Sequence, residues 1–250
     1  MPAMDKPLAE DFIRMQTALA RPALVPEVEL HLATEMTPIW KATETWLEAE
    51  GVEPPFWAFA WPGSQALARL VLDEPARVAG RRVLDFAAGG GLAAIACHRA
   101  GAASVEAAEL DPLACAAIRL NARHNGTDSV RDFLGDVVGA AGRWDVILAG
   151  DVCYEAPMTR HILPWLRGLA AGGAEVWLAD PGRAYLPREA LAPGPRYIVP
   201  VTRELEDRDT REVTVWRVLP PEQATRPAAS PASEPGCGDG GRGGGRIRRR

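Results

Sequence analysis

No apolar run in this 250-residue chain approaches the roughly 18–20 residues that a membrane helix needs. The opening Met1-Pro2-Ala3-Met4-Asp5-Lys6 has no apolar signal core, and Glu10 and Asp11 are foreign to a transit peptide. These absences predict a soluble, cytoplasmic protein with no membrane partner. Cysteine is scarce: Cys97, Cys115, Cys153 and Cys237 form no CxxC, and none sits with histidine at zinc spacing. The reading is reduced thiols, mostly in the core, and no metal. Basic excess is also missing. The net charge is −5, and from Pro221 onward six arginines face Glu222, Glu234 and Asp239, so the tail carries +3 and the remainder −8. An acidic body argues against a nucleic-acid-binding domain and suits a basic or lysine-bearing protein partner. No internal repeat is visible. His31, His98, His124 and His161 stand singly, and none is assigned a catalytic role.

The whole chain is 47% hydrophobic, enough for the core of one domain with extensions. Residues 1–62 read as an N-terminal helical extension packed on the catalytic domain. Phe12, Met15 and Leu19, then Ile39, Trp46 and Leu47, recur at near-helical spacing, and Val28 to Leu32 alternates like a short strand. Residues 221–250, rich in Pro, Gly, Ser, Ala and Arg, cannot bury enough apolar surface to offset ordering entropy and are expected to be disordered. Between them, residues 63–220 begin with a helix at Gly63 to Leu72. Strands at Val83–Phe86, Val105–Glu109, Val130–Leu134, Asp145–Ala149 and Glu175–Ala179 then alternate with helices at Leu92–Ala100, Pro112–His124 and Met158–Ala170. That pattern predicts an α/β fold, a Rossmann-like doubly wound, seven-stranded, mostly parallel sheet. The last two strands, Arg196–Val201 and Glu212–Leu219, flank the turn-forming Glu206-Asp207-Arg208-Asp209 and should form an antiparallel hairpin.

The informative stretch is Val83-Leu84-Asp85-Phe86-Ala87-Ala88-Gly89-Gly90-Gly91. A strand runs into a glycine turn and then a helix, which lets backbone N–H groups come close to a ligand. Gly89 to Ala94 fits G-x-G-x-x-A, and Glu109 follows twenty residues after Gly89 at the end of the next strand, where an acid binds ribose hydroxyls. Spacing alone admits NAD. Asp85 tilts the choice, because an anion before the turn repels a pyrophosphate and favours a ligand bearing an ammonium or sulfonium, such as S-adenosylmethionine (SAM). Asp111 and Pro112 suit the N-cap and first position of the next helix. Asp136 follows the third strand, placed to accept from an adenine amino group.

On these residues the chain resembles the class I SAM-dependent methyltransferases, whose first motif is acid-x-Gly-x-Gly-x-Gly. Asp85, Ala87, Gly89 and Gly91 occupy that pattern, with Ala87 departing from it at the first glycine. The resemblance implies Asp85 near the amino-acid end of SAM, Glu109 on the ribose and Asp136 near the adenine. Asp151-Val152-Cys153-Tyr154 follows the fourth strand, where Asp-x-x-Tyr resembles a group of seven-strand protein-lysine methyltransferases. The Asn/Asp-Pro-Pro-aromatic motif of amide and base methyltransferases is absent. With the segments Pro54 to Gly63 and Asp180 to Pro187, the chain is similar to the electron transfer flavoprotein β-subunit lysine methyltransferase family and its bacterial relatives, from about Phe12 to Leu219. That implies N-methylation of a lysine on a protein, the electron transfer flavoprotein β subunit or another such as a ribosomal protein. Asp151 is expected to orient the incoming nitrogen, Tyr154 to wall its channel, and Trp61 to touch the cofactor. Three alternatives stay open: a small-molecule N-methyltransferase acting on nicotinamide-like amines, a non-catalytic SAM-binding module, and an NAD-dependent oxidoreductase, for which no hydride-handling constellation is evident.

Overall fold

The computed structural model describes residues 6–41, 54–202 and 207–221. The expected tail and most of the second N-terminal helix, with Trp46 and Leu47, lie outside the described residues. Helix α1 (Lys6–Gln16) leads into a two-stranded antiparallel ladder of β1 (Ala18–Ala20) and β2 (Leu30–Leu32). Leu19, counted above on the helical face with Phe12 and Met15, therefore belongs to a strand. The helix stops because Thr17 closes it, donating both its N–H and its hydroxyl to Ile13 O. The true buried face of α1 is Ala9 and Ile13, while Met15 is exposed.

The main sheet contains β3 (Arg82–Phe86), β4 (Ser104–Glu109), β5 (Arg131–Leu134), β6 (Val146–Gly150), β7 (Glu175–Asp180), β8 (Leu191–Pro200) and β9 (Thr210–Val218), in the order β5-β4-β3-β6-β7-β9-β8. The strands β3 to β7 are parallel, and β9 runs against β7 and β8. The expected hairpin forms, although β8 starts five residues earlier than its apolar run suggests. Pro193 and Pro195 obscure that start, and a bulge between Pro193 and Arg196 accommodates them. An edge strand tolerates proline because its outward N–H has no ladder partner to lose.

Helices α2 (Pro62–Asp73), α3 (Leu92–Arg99), α4 (Pro112–His124) and α5 (Ala156–Ala171) cover the sheet. Alternation along the central strands sorts the side chains to its two faces. Val83, Val146, Leu148 and Ala179 pack with Leu67, Leu70 and Ile95. Leu84, Ile147, Ala149 and Leu178 pack with Ile162 and Leu166 of α5. A third cluster, including Ile13, Trp57, Leu113 and Ala117, fastens the N-terminal segment to α4. Burial on both faces explains why β3 and β6 read as almost unbroken apolar runs. Cys97, Cys115 and Cys153 are buried free thiols. Among the described residues no helix is long and apolar enough to cross a membrane, and no His/Cys/Asp/Glu cluster could hold a metal.

The strand order has one consequence for the site. The chain moves outward from β3 to β4 and β5, then returns to lay β6 on the other side of β3. Loops leaving β3 and β6 therefore diverge, and a crevice opens at their carboxyl ends.

Candidate active site

A cavity of about 550 Å³ occupies that crevice, within the range of small-molecule and cofactor sites. Its walls come from the ends of successive strands: Ala87 and Gly89 after β3, Glu109 at the end of β4 and Asp111 just beyond it, Asp136 after β5, Asp151 and Tyr154 after β6, and Arg183 after β7. Trp57 and Trp61 close it from the segment before α2. Seven of the nine residues singled out from sequence thus meet on one cavity: Trp61, Ala87, Gly89, Glu109, Asp136, Asp151 and Tyr154.

Asp85 and Gly91 do not line it. Asp85 is turned beneath the loop, where its carboxylate accepts from Ala94 N–H at 2.8 Å inside the first turn of α3. Gly91 is the N-cap of α3, with φ +84. Their part is to shape the loop, and sequence spacing alone does not distinguish a carboxylate facing a ligand from one facing a helix end. Burial pushes the Asp85 carboxyl up to about 7, against the lowering effect of the Ala94 hydrogen bond. A carboxyl whose folded pKa lies above its unfolded value contributes stability that is full below the unfolded value, about 4, and is lost as pH rises through about 7. Asp85→Asn keeps an oxygen for Ala94 N–H and removes that penalty. Its stability relative to wild type should rise between about pH 4 and 7, by up to a few kcal/mol. Denaturant titrations across that interval check this, and a difference that stays flat with pH would contradict it.

The loop itself is held in an unusual backbone. Ala87 has φ +54 and Gly89 φ +56, the left-handed region that costs a residue with a Cβ about 1 kcal/mol. Ala87 tolerates it where the motif it resembles has glycine. Gly89 N–H donates to Glu109 Oε1 at 2.6 Å, and Leu110 N–H to Oε2 at 3.0 Å. Burial raises the Glu109 pKa, and these two backbone bonds oppose it. Gly90 is clasped from behind: a Cβ there would stand 2.9 Å from Trp57 O. The buried Asn121 donates to Gly90 O at 2.9 Å and accepts from His31 N–H at 2.8 Å, tying the loop to β2. Asp111 caps α4 through Leu113 N–H, as its place before Pro112 suggests.

Across the cavity Asp136 accepts from Val138 N–H at 2.8 Å and lies 3.0 Å from His161 Nε2. The Val138 bond, followed by His161, holds its carboxyl below the usual range. Asp151 adopts φ +56 at the end of β6. Its Oδ2 accepts from Gly63 N–H at 2.6 Å and its Oδ1 from Arg183 Nη2 at 3.1 Å. Burial pushes it up to about 6, against the attraction of Arg183. Phe56 links the mouth aromatics, with ring centres 6.1 Å from Trp61 and 6.4 Å from Tyr154. Gly63, Arg183, Asn121 and His161 are site residues that spacing did not single out.

The donors fit SAM. The described lining carries Glu109, Asp111, Asp136 and Asp151 against Arg183 and His161. Such a wall repels a pyrophosphate and receives hydroxyls, an amine and a sulfonium. Trp57, 1% exposed, packs against the same wall as a buried aromatic.

Sheet order, glycine loop and cavity together define a class I SAM-dependent methyltransferase, and the comparisons agree. A Thermoplasma acidophilum crystal structure shares the fold, at TM-score 0.50 and 19% identity over 64% of this chain and 89% of that one. The family model of ribosomal protein L11 methyltransferase (PrmA) matches residues 66–152, the part of the chain that carries the glycine loop and Asp151. The electron transfer flavoprotein beta subunit lysine methyltransferase of Xenopus laevis is 35% identical, covering 84% of this chain and 86% of its own length. Its mouse counterpart is 32% identical over 79% of each. The chain belongs to the electron transfer flavoprotein beta subunit lysine methyltransferase family, and its cofactor is SAM.

Proposed function

We propose that this protein transfers methyl groups to lysine side chains of the electron transfer flavoprotein β subunit. The observation that carries the acceptor chemistry is the cavity mouth. Phe56 and Tyr154 are about half exposed there, Trp61 stands beside them, and Asp151 lies at the base. Aromatic faces at such a mouth attract an alkylammonium chain end on its way in, whatever its degree of methylation. Membership of a family whose members are named for this substrate supports the identity of the protein acceptor. The PrmA match, confined to residues 66–152, supports the cofactor and does not identify the acceptor protein.

Bound SAM supplies an electrophilic methyl group on a sulfonium. The chain's own residues bind, orient and exclude water. We assign the ribose hydroxyls to Glu109, the adenine edge to Asp136, and the remainder of the cofactor to the Ala87–Gly91 loop and Trp61. Asp85 supports that loop from below. Asp151 orients the acceptor nitrogen, and Tyr154 with Phe56 walls its channel. The acceptor must arrive as a neutral amine, since an unperturbed lysine with pKa about 10.4 is protonated at neutral pH and has no lone pair to offer.

The test combines the purified protein, methyl-labelled SAM and purified electron transfer flavoprotein β subunit, with the modified residue located by mass spectrometry. Label on lysine is expected. Label found only on small amines would replace this reading with the metabolite alternative. In the same assay Asp151→Ala should lower transfer by about a hundredfold or more, with SAM affinity measured separately. Near-normal turnover would remove Asp151 from its assigned role.

A further inference from the structure

Arg183 stands where β7, the acceptor corner and the cavity meet. The turn after β7 aims it: Asp180 Oδ1 accepts from the N–H groups of Gly182 and Arg183, each at 2.6 Å. Gly182, at φ +90, bends the chain back. The guanidinium then reaches Asp151 Oδ1 at 3.1 Å and lies 6.0 Å from the centre of the Trp61 ring. The other Asp151 oxygen holds Gly63 N–H, and the side chain is only 9% exposed. Both oxygens are engaged, and the carboxylate already has a cationic partner, before any acceptor enters.

This balance matters for the acceptor's proton. A buried, unpaired carboxylate holds an ammonium ion tightly and raises its pKa. A lysine so held cannot form the new N–C bond. A carboxylate already paired with a guanidinium attracts a second cation far less, and the guanidinium itself disfavours a protonated amine beside it. Asp151 retains lone pairs that accept N–H bonds from a neutral amine.

We infer that Arg183 is a positioning residue whose pairing with Asp151 lets the acceptor corner hold lysine as the neutral amine. This rests on the acceptor reading above. Other charged and titratable groups also face the corner. Asp180 and Arg188 come from the β7 turn, and Glu109, Tyr154 and the Asp136–His161 pair lie across the cavity. All are shared by wild type and variants, so their comparison isolates Arg183.

The experiment uses the full chain, with electron transfer flavoprotein β subunit as the acceptor and saturating SAM, and follows kcat/KM from about pH 6 to 10 for wild type, Arg183→Gln and Arg183→Lys. Arg183→Gln should lose roughly tenfold or more near pH 7, with its rising limb displaced upward by about one unit, and recover to within about threefold near pH 10. Arg183→Lys should keep the wild-type limb. Thermal unfolding without cofactor is a second readout. The unpaired Asp151 carboxyl takes a higher folded pKa, so the deficit of Arg183→Gln relative to wild type should widen from about pH 5 to 8. An equal loss at every pH, with a stability deficit that does not change with pH, would overturn the inference in favour of a merely structural contact. A SAM affinity weakened more than about tenfold with an unmoved limb would overturn it in favour of a cofactor anchor. Wild-type protein that labels no lysine would sink the acceptor reading first and this inference with it.

Discussion

Gly63→Ala should reduce methyl transfer by at least about a hundredfold, while leaving a folded protein whose melting temperature has dropped by roughly 5–10 °C. A Cβ on Gly63 would stand 2.5 Å from Asp151 Oδ2, 2.6 Å from Ala179 O and 2.9 Å from Asp151 N. Two of these are backbone atoms of adjacent strand ends, locked together by the bond from Asp151 N–H to Ala179 O at 2.9 Å. They cannot yield, so the start of α2 must retreat. Overpacking of this kind costs about 1–3 kcal/mol. The retreat also withdraws Gly63 N–H from Asp151 and shifts Trp61, two residues earlier. The contact is reciprocal, since a Cβ on Gly150 would meet Ser64 N at 2.8 Å. Gly168→Ala is the control: that glycine is exposed on α5 with nothing within 4 Å of an added Cβ. It should gain about 0.5–1 kcal/mol and leave activity alone. Normal turnover in Gly63→Ala would show that the α2 contact does not set the geometry of Asp151.

Glu109→Ala should weaken SAM binding by about a hundredfold in calorimetry. Hydrogen bonds to a charged group are worth about 1.5–3 kcal/mol each, and on our assignment the carboxylate takes ribose hydroxyls. It also accepts from Gly89 N–H and Leu110 N–H, so its removal frees the glycine loop as well. Glu109→Gln, which replaces one acceptor oxygen by a donor, should fall between the two. Because burial raises the Glu109 pKa, wild-type affinity should begin to fall with decreasing pH earlier than for an exposed glutamate, and the Gln variant should lose that dependence. Affinity within twofold of wild type in Glu109→Ala would place the ribose elsewhere.

Different parts of this molecule were legible for different reasons. The alternating βα pattern from Arg82 to Asp180 showed through because the central strands β3, β6 and β7, buried on both faces, are nearly continuous apolar runs. The first helix was misjudged at Leu19, because two apolar residues at helical spacing cannot reveal that the next three pair with a distant strand. The start of β8 was hidden by prolines, which are acceptable there only because the strand lies at a sheet edge. At the site, Glu109 and Asp136 could be found because each stands at, or within two residues of, the end of its own strand. Asp85 follows the same rule in sequence yet faces inward to Ala94.

By itself, then, the sequence determined the class of fold, the glycine loop, the acids at the strand ends and the sulfonium cofactor they suit, since all of these depend on residues close together in the chain. Only the tertiary structure decided how the surroundings of Asp151 are built. Arg183 meets Asp151 from thirty-two residues away and Gly63 meets it from eighty-eight. Nothing in local spacing encodes either contact. They exist because β6 returns beside β3, β7 pairs with β6, and α2 starts against the ends of both strands. Sheet order thus brings two separate segments within hydrogen-bonding distance of one carboxylate.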